Sequence, residues 1–199
     1  MAGTYRIALL GQPNSGKSTL FNGLTGMHQR VGNWPGKTVE KKLGSCVRDG
    51  VTYEVCDLPG AYSLSAMSDE ERITQDYIAA GEADVVLVMV DASQLTRSMY
   101  MLADYVGGRV PCVLALNMMD EMEGNGGNID VNRMEHLLGI PVVPISAVKN
   151  QGVDELVEHA LHVAKYQEPP ARQDFCSPED HGGAVHRCLH AIMHLIEDH

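Results

Sequence analysis

The sequence predicts an α/β fold: a mostly parallel six-stranded sheet with one antiparallel edge strand, helices on both faces, and a short C-terminal helical extension. Three observations predict it. Short apolar segments alternate with segments of helical periodicity along most of the chain, as in strands joined by crossover helices. Segment 85–90, VVLVMV, is apolar throughout, which is typical of a strand covered on both faces. Asp49-Gly50 predicts a hairpin turn that supplies the antiparallel strand.

Each element follows from its local pattern. The predicted strands are short apolar or β-branched segments bounded by turn formers: 5–10, 39–47, 51–56, 85–90, 113–116 and 141–145. The predicted helices carry apolar residues at a spacing of three to four: 17–24, 70–80, 95–106, 131–138 and 153–165. Segment 27–37 contains turn formers without periodicity, so we expect a loop there.

The C-terminal region differs in composition from the rest of the chain. Residues 167–183 hold three prolines and a glycine pair, which predicts a linker. A last helix is expected within 184–199, and one face of it is apolar. That apolar stripe consists of Val185, Cys188, Leu189, Ile192, Leu195 and Ile196. A lone helix of this length is marginal in water, so we expect it to fold back or to pair with a second copy in a homo-oligomer.

Composition excludes several classes of protein. The chain has 199 residues and a formal net charge of −11, which argues against nucleic acid as a partner. No apolar segment approaches the roughly 20 residues of a transmembrane helix, and the N-terminus does not resemble a secretory signal. Five cysteines without a C-x-x-C pair are expected to be reduced thiols. His186, His190 and His194 recur every four residues, but they lie on the polar side of the last helix, so we expect a solvated face.

A phosphate-binding loop is the clearest motif. Gly11-Gln-Pro-Asn-Ser-Gly16-Lys17-Ser18 matches G-x-x-x-x-G-K-[ST] between a predicted strand and a predicted helix. Backbone N–H groups and the helix N-terminus would surround a β-phosphate. Lys17 would reach the β- and γ-phosphates, and the Ser18 hydroxyl would bind Mg²⁺.

Three further motifs predict that the nucleotide carries guanine. Asp57-Leu-Pro-Gly60 ends a strand, where Asp57 can hold Mg²⁺ through water and the Gly60 N–H can meet a γ-phosphate. Asn117-Met-Met-Asp120 follows another strand, and the Asp120 carboxylate can accept hydrogen bonds from guanine N1 and N2, a donor pair that adenine lacks. Ser146-Ala147 follows the last strand and places the Ala147 N–H near guanine O6. These motifs would form one crevice at the carboxyl edge of the sheet.

Two longer segments carry a family resemblance. Residues 30–42, RVGNWPGKTVEKK, and residues 57–65, DLPGAYSLS, resemble the two switch regions of FeoB, the bacterial ferrous-iron transporter. The similarity runs from about Tyr5 to Lys165. It implies a Ras-like P-loop GTPase domain (G domain) over 1–166, the linker 167–183, and at 184–199 the start or remnant of a helical regulatory domain. It also implies that a membrane domain carrying Fe²⁺ is a partner, which would place this part at the cytoplasmic face of the bacterial inner membrane.

The resemblance implies specific site residues. Thr38 would close on Mg²⁺ and the γ-phosphate, so Ser18, Thr38 and Asp57 form the expected Mg²⁺ set. Asn14 would hold an activating K⁺, together with the backbone carbonyls of Asn33 and Trp34. The expected catalytic residues are Asn14, Lys17, Thr38 and Gly60. The full expected GTP-binding set is Gly11, Gln12, Pro13, Asn14, Ser15, Gly16, Lys17, Ser18, Thr19, Gly36, Lys37, Thr38, Val39, Glu40, Asp57, Leu58, Pro59, Gly60, Asn117, Met118, Met119, Asp120, Ser146, Ala147 and Val148.

Three functions stay open at this point. Ala61 stands where Ras-like enzymes carry a water-positioning glutamine, so we expect slow GTP hydrolysis. The resemblance implies that K⁺ stimulates this hydrolysis. The leading hypothesis is therefore a slow GTPase that regulates Fe²⁺ uptake. The alternatives are a ribosome- or tRNA-associated GTPase of the same fold, which the charge disfavours, and a nucleotide-binding regulatory module with negligible hydrolysis.

Overall fold

The computed structural model describes residues 3–12, 15–59, 68–92, 111–117 and 131–167. The strands in this part of the chain are β1 Thr4–Gly11, β2 Gln29–Asn33, β3 Glu40–Arg48, β4 Val51–Asp57, β5 Val85–Asp91, β6 Cys112–Asn117 and β7 Val142–Pro144. The helices, numbered within the same ranges, are α1 Lys17–Thr25, α2 Asp69–Ala79, α3 Val131–Leu138 and α4 Val153–Tyr166. The predicted helix 95–106, the linker 167–183 apart from Gln167, and the segment 184–199 lie outside the described residues.

The described strands form one seven-stranded sheet in the order β2-β3-β4-β1-β5-β6-β7. β1 pairs in parallel with β4 and β5, and the series β5-β6-β7 is also parallel. β3 is antiparallel to both of its neighbours. The prediction of a mostly parallel sheet with an antiparallel edge is confirmed, but the predicted number of six strands is wrong, because the sheet has seven strands among the described residues. The reversed strand β3 lies one position in from the edge.

The additional strand, β2, lies within segment 27–37, where a loop was predicted. Gln29 pairs with Gly44 and Asn33 pairs with Glu40, so the strand is defined by backbone hydrogen bonds to β3. Four of its five residues are exposed, and an edge strand without a buried face shows no hydrophobic alternation from which it could be predicted. The prediction failed for that physical reason.

Helices cover both faces of the sheet, as predicted. On one face α1 and α4 pack on the sheet through Leu20, Phe21, Leu24, Leu156, Val157, Ala160 and Val163. On the other face α2 and α3 pack through Ile73, Tyr77, Met134 and Leu138. The interior strand β5 is apolar up to its last residue, Asp91, because alternate side chains enter both cores. Val85, Leu87 and Met89 enter one core, and Val86, Val88 and Val90 enter the other.

The start of α2 is set by local chemistry. The Ser68 hydroxyl accepts a hydrogen bond from the Glu71 N–H at 3.2 Å, which caps one of the free donors of the first turn. Asp69, Glu70 and Glu71 add negative charge at the positive end of the helix dipole. Among the described helices, none is long and apolar enough to span a bilayer.

Candidate functional site

The predicted motifs meet at the carboxyl edge of the parallel strands. β1 ends at Gly11, β4 ends at Asp57, and β6 ends at Asn117. Ser146 follows β7 and forms an isolated bridge with Gln151. Parallel strands place their carboxyl ends at one sheet edge, so residues more than 100 positions apart in sequence are brought into one crevice.

The phosphate-loop motif turns sharply into α1. Gly16 is the N-cap of α1 with φ 92°, a left-handed conformation that favours glycine. A Cβ at Gly16 would lie 2.0 Å from Nδ2 of Asn117, and a Cβ at Gly11 would lie 2.6 Å from Oγ of Ser15. Gly16 is therefore favoured both by its left-handed backbone and by close approach, whereas Gly11 is favoured by close approach alone. Pro13 and Asn14 lie outside the described residues.

Lys17 joins two of the motifs. Its ammonium Nζ lies 2.6 Å from Oδ1 of Asp57 and also donates to the Leu58 carbonyl oxygen. The Lys17 and Asp57 side chains are only 11% and 9% exposed, so this ion pair is shielded from water. The cation of the phosphate loop thus lies directly against the carboxylate that ends β4.

Asn117 joins three segments of the crevice. Its Nδ2 donates to the Ser15 carbonyl oxygen at 2.9 Å, and its Oδ1 accepts from the Ala147 N–H at 3.0 Å. The residue is 1% exposed. Its amide fixes the phosphate loop and the segment after β7 to the end of β6, a bridging role that the motif alone did not reveal. The Ala147 N–H, which the sequence assigns to guanine O6, is bonded to Asn117 in this structure.

The base-contacting part of the crevice is only partly described. Ser146 is buried, and its hydroxyl accepts from the Lys149 N–H at 3.3 Å. Val148 is exposed at 82%. Met118, Met119 and Asp120, which complete the predicted guanine motif, lie outside the described residues, as does Gly60.

The segment between β2 and β3 forms a closed turn. The Trp34 N–H donates to the Val39 carbonyl at 3.0 Å, and the Lys37 N–H donates to the Trp34 carbonyl at 2.9 Å. Gly36 has φ 70°, so the turn uses a left-handed glycine. Asn33 and Thr38 are exposed at the surface. The Trp34 carbonyl, predicted to contact K⁺, accepts the Lys37 hydrogen bond here.

The indole of Trp34 was not predicted to have a role of its own. It is 8% exposed and meets the Tyr77 ring edge-on, with 5.9 Å between centroids and 83° between planes. Lys41 Nζ lies 4.5 Å from the indole centroid. The only feature of the sequence that could have indicated such a role is a tryptophan within the turn-forming segment 27–37.

The donor set suits Mg²⁺ rather than a softer metal. Ser18 and Thr38 offer exposed hydroxyls, and Asp57 offers a carboxylate that already faces a cation, Lys17. Hard oxygen ligands of this kind are those that Mg²⁺ prefers. Within the described residues no group of three or more His, Cys, Asp or Glu side chains could hold a metal ion.

The chain matches one family over most of its length. The family model for ferrous iron transport protein B matches residues 5–160. The Fe(2+) transporter FeoB of Salmonella typhimurium is 44% identical over 154 residues, covering 75% of this chain and 20% of that protein. FeoB of Legionella pneumophila (strain Lens) is 44% identical over 165 residues, covering 81% and 22%. The chain therefore spans about a fifth of the length of these relatives.

Solved structures agree with this assignment. The cytosolic domain of T. maritima FeoB in a GDP form has a TM-score of 0.83 at 39% identity, covering 88% of this chain and 69% of that chain. The G domain of T. maritima FeoB has a TM-score of 0.75 at 40% identity, covering 81% of this chain and 99% of that chain. A GDP-bound mutant of S. thermophilus NFeoB has a TM-score of 0.77 at 45% identity, covering 80% and 61%. With a family model matched over residues 5–160 and a Ras-like fold shared with these structures, the chain belongs to the FeoB family and corresponds to its N-terminal G domain.

Proposed function

We propose that this chain binds GTP and GDP and hydrolyses GTP slowly. One observation carries the proposal: the Lys17 ammonium lies 2.6 Å from the Asp57 carboxylate, at the N-terminus of α1. This contact brings the phosphate loop and the end of β4 together in a shielded place. The GDP-bound structures of FeoB G domains support the same assignment.

The phosphates would take the present place of Asp57 beside Lys17. Phosphate oxygens attract an ammonium more strongly than one carboxylate does, because they carry more charge. The free N–H groups at the start of α1 and the positive end of its dipole add to this attraction. Gly16 keeps the approach open, since it has no side chain.

The residues that would hold Mg²⁺ are Ser18, Thr38 and Asp57. When bound, Mg²⁺ neutralises charge on the β- and γ-phosphate oxygens. Once Lys17 turns to the phosphates, the Asp57 carboxylate is released towards the cation. Thr38 lies on an exposed turn, so its hydroxyl can approach the cation without unpacking the core.

Guanine selectivity is proposed for Asp120, with Asn117, Ser146 and Ala147 shaping the rest of the base site. The buried Asn117 amide supports this role because it holds the end of β6 against two loops. A carboxylate two or three residues beyond such a fixed point can accept from guanine N1 and N2. Adenine presents no such donor pair.

The proposal includes slow hydrolysis of GTP and its stimulation by K⁺. Ala61 has no group to orient water. Asn14, with the carbonyls of Asn33 and Trp34, is the proposed K⁺ site, and Gly60 is the proposed γ-phosphate donor. The Trp34 carbonyl would have to exchange its Lys37 partner for the ion.

In the whole transporter we propose that this domain regulates Fe²⁺ uptake by the membrane domain, from the cytoplasmic side. The names of the relatives support the iron role. A module that binds nucleotide without hydrolysis stays the alternative, because Ala61 removes the usual water-positioning side chain. Self-association through 184–199 also stays a prediction, and sedimentation of the chain with and without residues beyond Gln167 tests it.

Nucleotide titration and phosphate release test the main proposal. We expect GTP and GDP, but not ATP, to displace a fluorescent GDP analogue, and phosphate to be released from GTP. Lys17→Ala should abolish both activities, while Lys165→Ala, an exposed lysine on α4, should change neither. Equal displacement by ATP would overturn the guanine assignment, and binding without phosphate release would favour the regulatory module.

A further inference from the structure

One side chain of α2 contacts both segments that carry the proposed Mg²⁺ ligands Thr38 and Asp57. Tyr77 meets the Trp34 indole edge-on, at 5.9 Å between ring centroids, and both residues are 8% exposed. Tyr77 also belongs to the same buried cluster as Cys56, the residue before Asp57. Tyr77 thus bridges the turn after β2 and the end of β4.

Backbone hydrogen bonds of Trp34 connect this contact to the turn that contains Thr38. The Trp34 N–H bonds to the Val39 carbonyl and the Trp34 carbonyl accepts from Lys37, so Trp34 closes the turn that contains Thr38. Fixing the indole therefore fixes the turn. Edge-to-face aromatic pairs are favourable and directional, which makes this restraint an orienting one.

On the strand side, the contact reaches Asp57 through one peptide bond. Burial raises the pKa of Cys56 to about 11, and the Tyr77 hydroxyl partly offsets this effect. Burial also raises the pKa of Tyr77. Both side chains are thus held in the apolar packing beside the end of β4, in the same buried cluster.

Other contacts of α2 are weaker or act elsewhere. Lys37 Nζ pairs with Asp69 at 3.2 Å, but the two side chains are 40% and 58% exposed, so water and salt screen the pair. The Thr74 hydroxyl donates to the Pro59 carbonyl at 3.2 Å, beyond Asp57 in the chain. Tyr77 is the described α2 side chain whose ring meets the Trp34 indole, and it lies in the same buried cluster as Cys56.

We propose that Tyr77 is a positioning residue for the Mg²⁺-bound state: by packing against Trp34 and within the cluster that contains Cys56, it holds the Thr38 hydroxyl and the Asp57 carboxylate in register. The inference rests on the proposed function, since it assigns both groups to Mg²⁺. It gives α2 a part in the reaction although α2 supplies no ligand. We therefore expect loss of the Tyr77 ring to weaken binding of the cation and of the γ-phosphate more than binding of the base.

The test compares Tyr77→Leu, Trp34→Leu and the double variant. We expect kcat for GTP hydrolysis to fall at least about fivefold in each single variant, because small misplacements of reacting groups are costly. The Mg²⁺ concentration that half-saturates binding of a non-hydrolysable GTP analogue should rise severalfold, while GDP affinity stays nearly unchanged. The double variant should be little worse than either single one, since both remove the same contact.

Two controls separate positioning from general loss of packing. Tyr53→Leu removes a ring that is even more deeply buried, 2% exposed, and packs in the core on the opposite face of the sheet. We expect it to lower thermal stability without moving the Mg²⁺ midpoint. Tyr77→Phe keeps the ring against Trp34 and should restore most of kcat.

These experiments test the positioning role of Tyr77 separately from the proposed function. An unchanged Mg²⁺ midpoint in folded Tyr77→Leu, an equal shift in Tyr53→Leu, or fully additive effects in the double variant would each overturn the positioning role. If Tyr77→Leu does not fold, the Mg²⁺ midpoint of Trp34→Leu tests the positioning role instead. If the unmodified chain binds the analogue but releases no phosphate, hydrolysis fails as a function while the midpoint still reports on Tyr77.

Discussion

The side-chain Oδ1 of Asn117 accepts a hydrogen bond from the backbone N–H of Ala147 at 3.0 Å, which joins the end of β6 to the segment after β7. The same amide donates to the phosphate loop at Ser15. One buried residue therefore couples the loop proposed to meet phosphate to the loop proposed to meet the base.

Asn117→Ala should destabilise the fold and weaken nucleotide binding together. The substitution leaves the Ser15 carbonyl and the Ala147 N–H without partners, which costs about 1–3 kcal/mol for buried polar groups. Urea unfolding gives the stability change, and displacement of a fluorescent GDP analogue gives the affinity. Asn22→Ala is the matched control, because Asn22 is exposed and its bond to Gln29 is at the surface. Equal effects of the two variants would contradict the bridging role.

Gly16→Ala should weaken GDP binding more than the addition of one methyl group would suggest. The new methyl group meets Nδ2 of Asn117 at 2.0 Å, and the left-handed backbone adds about 1–2 kcal/mol of strain. Gly23→Ala in the same helix meets nothing within 4 Å and should stabilise the protein by roughly 0.5–1 kcal/mol. Thermal unfolding and GDP affinity of the pair check this; a harmless Gly16→Ala would show that the turn tolerates a side chain.

Asp120→Ala should weaken GTP and GDP binding by about 2–4 kcal/mol, because two guanine donors lose a charged acceptor. Binding of the triphosphate moiety should persist, so discrimination between GTP and ATP should shrink. Competition between the two nucleotides against a fluorescent analogue measures it. Unaltered selectivity in the variant would move the specificity determinant away from Asp120.

Asn14→Ala should remove the stimulation of GTP hydrolysis by K⁺ and leave GDP affinity nearly unchanged. The reason is that an ion beside the β- and γ-phosphates acts mainly on charge that develops in the transition state. Phosphate release in KCl and in NaCl, at equal ionic strength, is the measurement. A rate in the unmodified chain that does not depend on K⁺ would end this proposal.

Stability should fall at alkaline pH because of buried thiols. Burial raises the pKa of Cys56 to about 11 and that of Cys112 to about 12, from 9.0. Below pH 9 the thiols are protonated in both states and the stability is complete. Above pH 9 the unfolded chain releases protons that the folded chain retains, so the free energy of unfolding falls as pH rises towards 11–12.

Urea midpoints between pH 8 and pH 10.5 measure this effect. Cys112→Ala should make the decline shallower, by up to about 1.4 kcal/mol per pH unit for one thiol. The comparison uses the slope, because the variant also loses packing and starts from a lower stability. Parallel slopes would show that Cys112 does not contribute to the alkaline loss.

The sequence alone determined the type of sheet and the chemistry of the site. Continuous apolar strands such as 85–90 and the Asp49-Gly50 turn are local signals, and they correctly predicted the parallel sheet, the hairpin and the helices on both faces. The phosphate-loop motif is equally local, because its glycine and lysine spacing is read from the eight consecutive residues 11–18. The resemblance to FeoB rested on contiguous residues and was confirmed by the family match.

The tertiary structure alone decided what depends on partners distant in sequence. β2 forms because β3 lies beside it, and its exposed side chains leave no pattern. The bridging amide of Asn117 and the pairing of Lys17 with Asp57 join segments up to 102 residues apart. The packing of Trp34 on Tyr77 depends on where α2 lies on the sheet. Periodicity and motifs record which residues are buried or bind phosphate, whereas the geometry that joins two motifs exists only once the strands have been placed side by side.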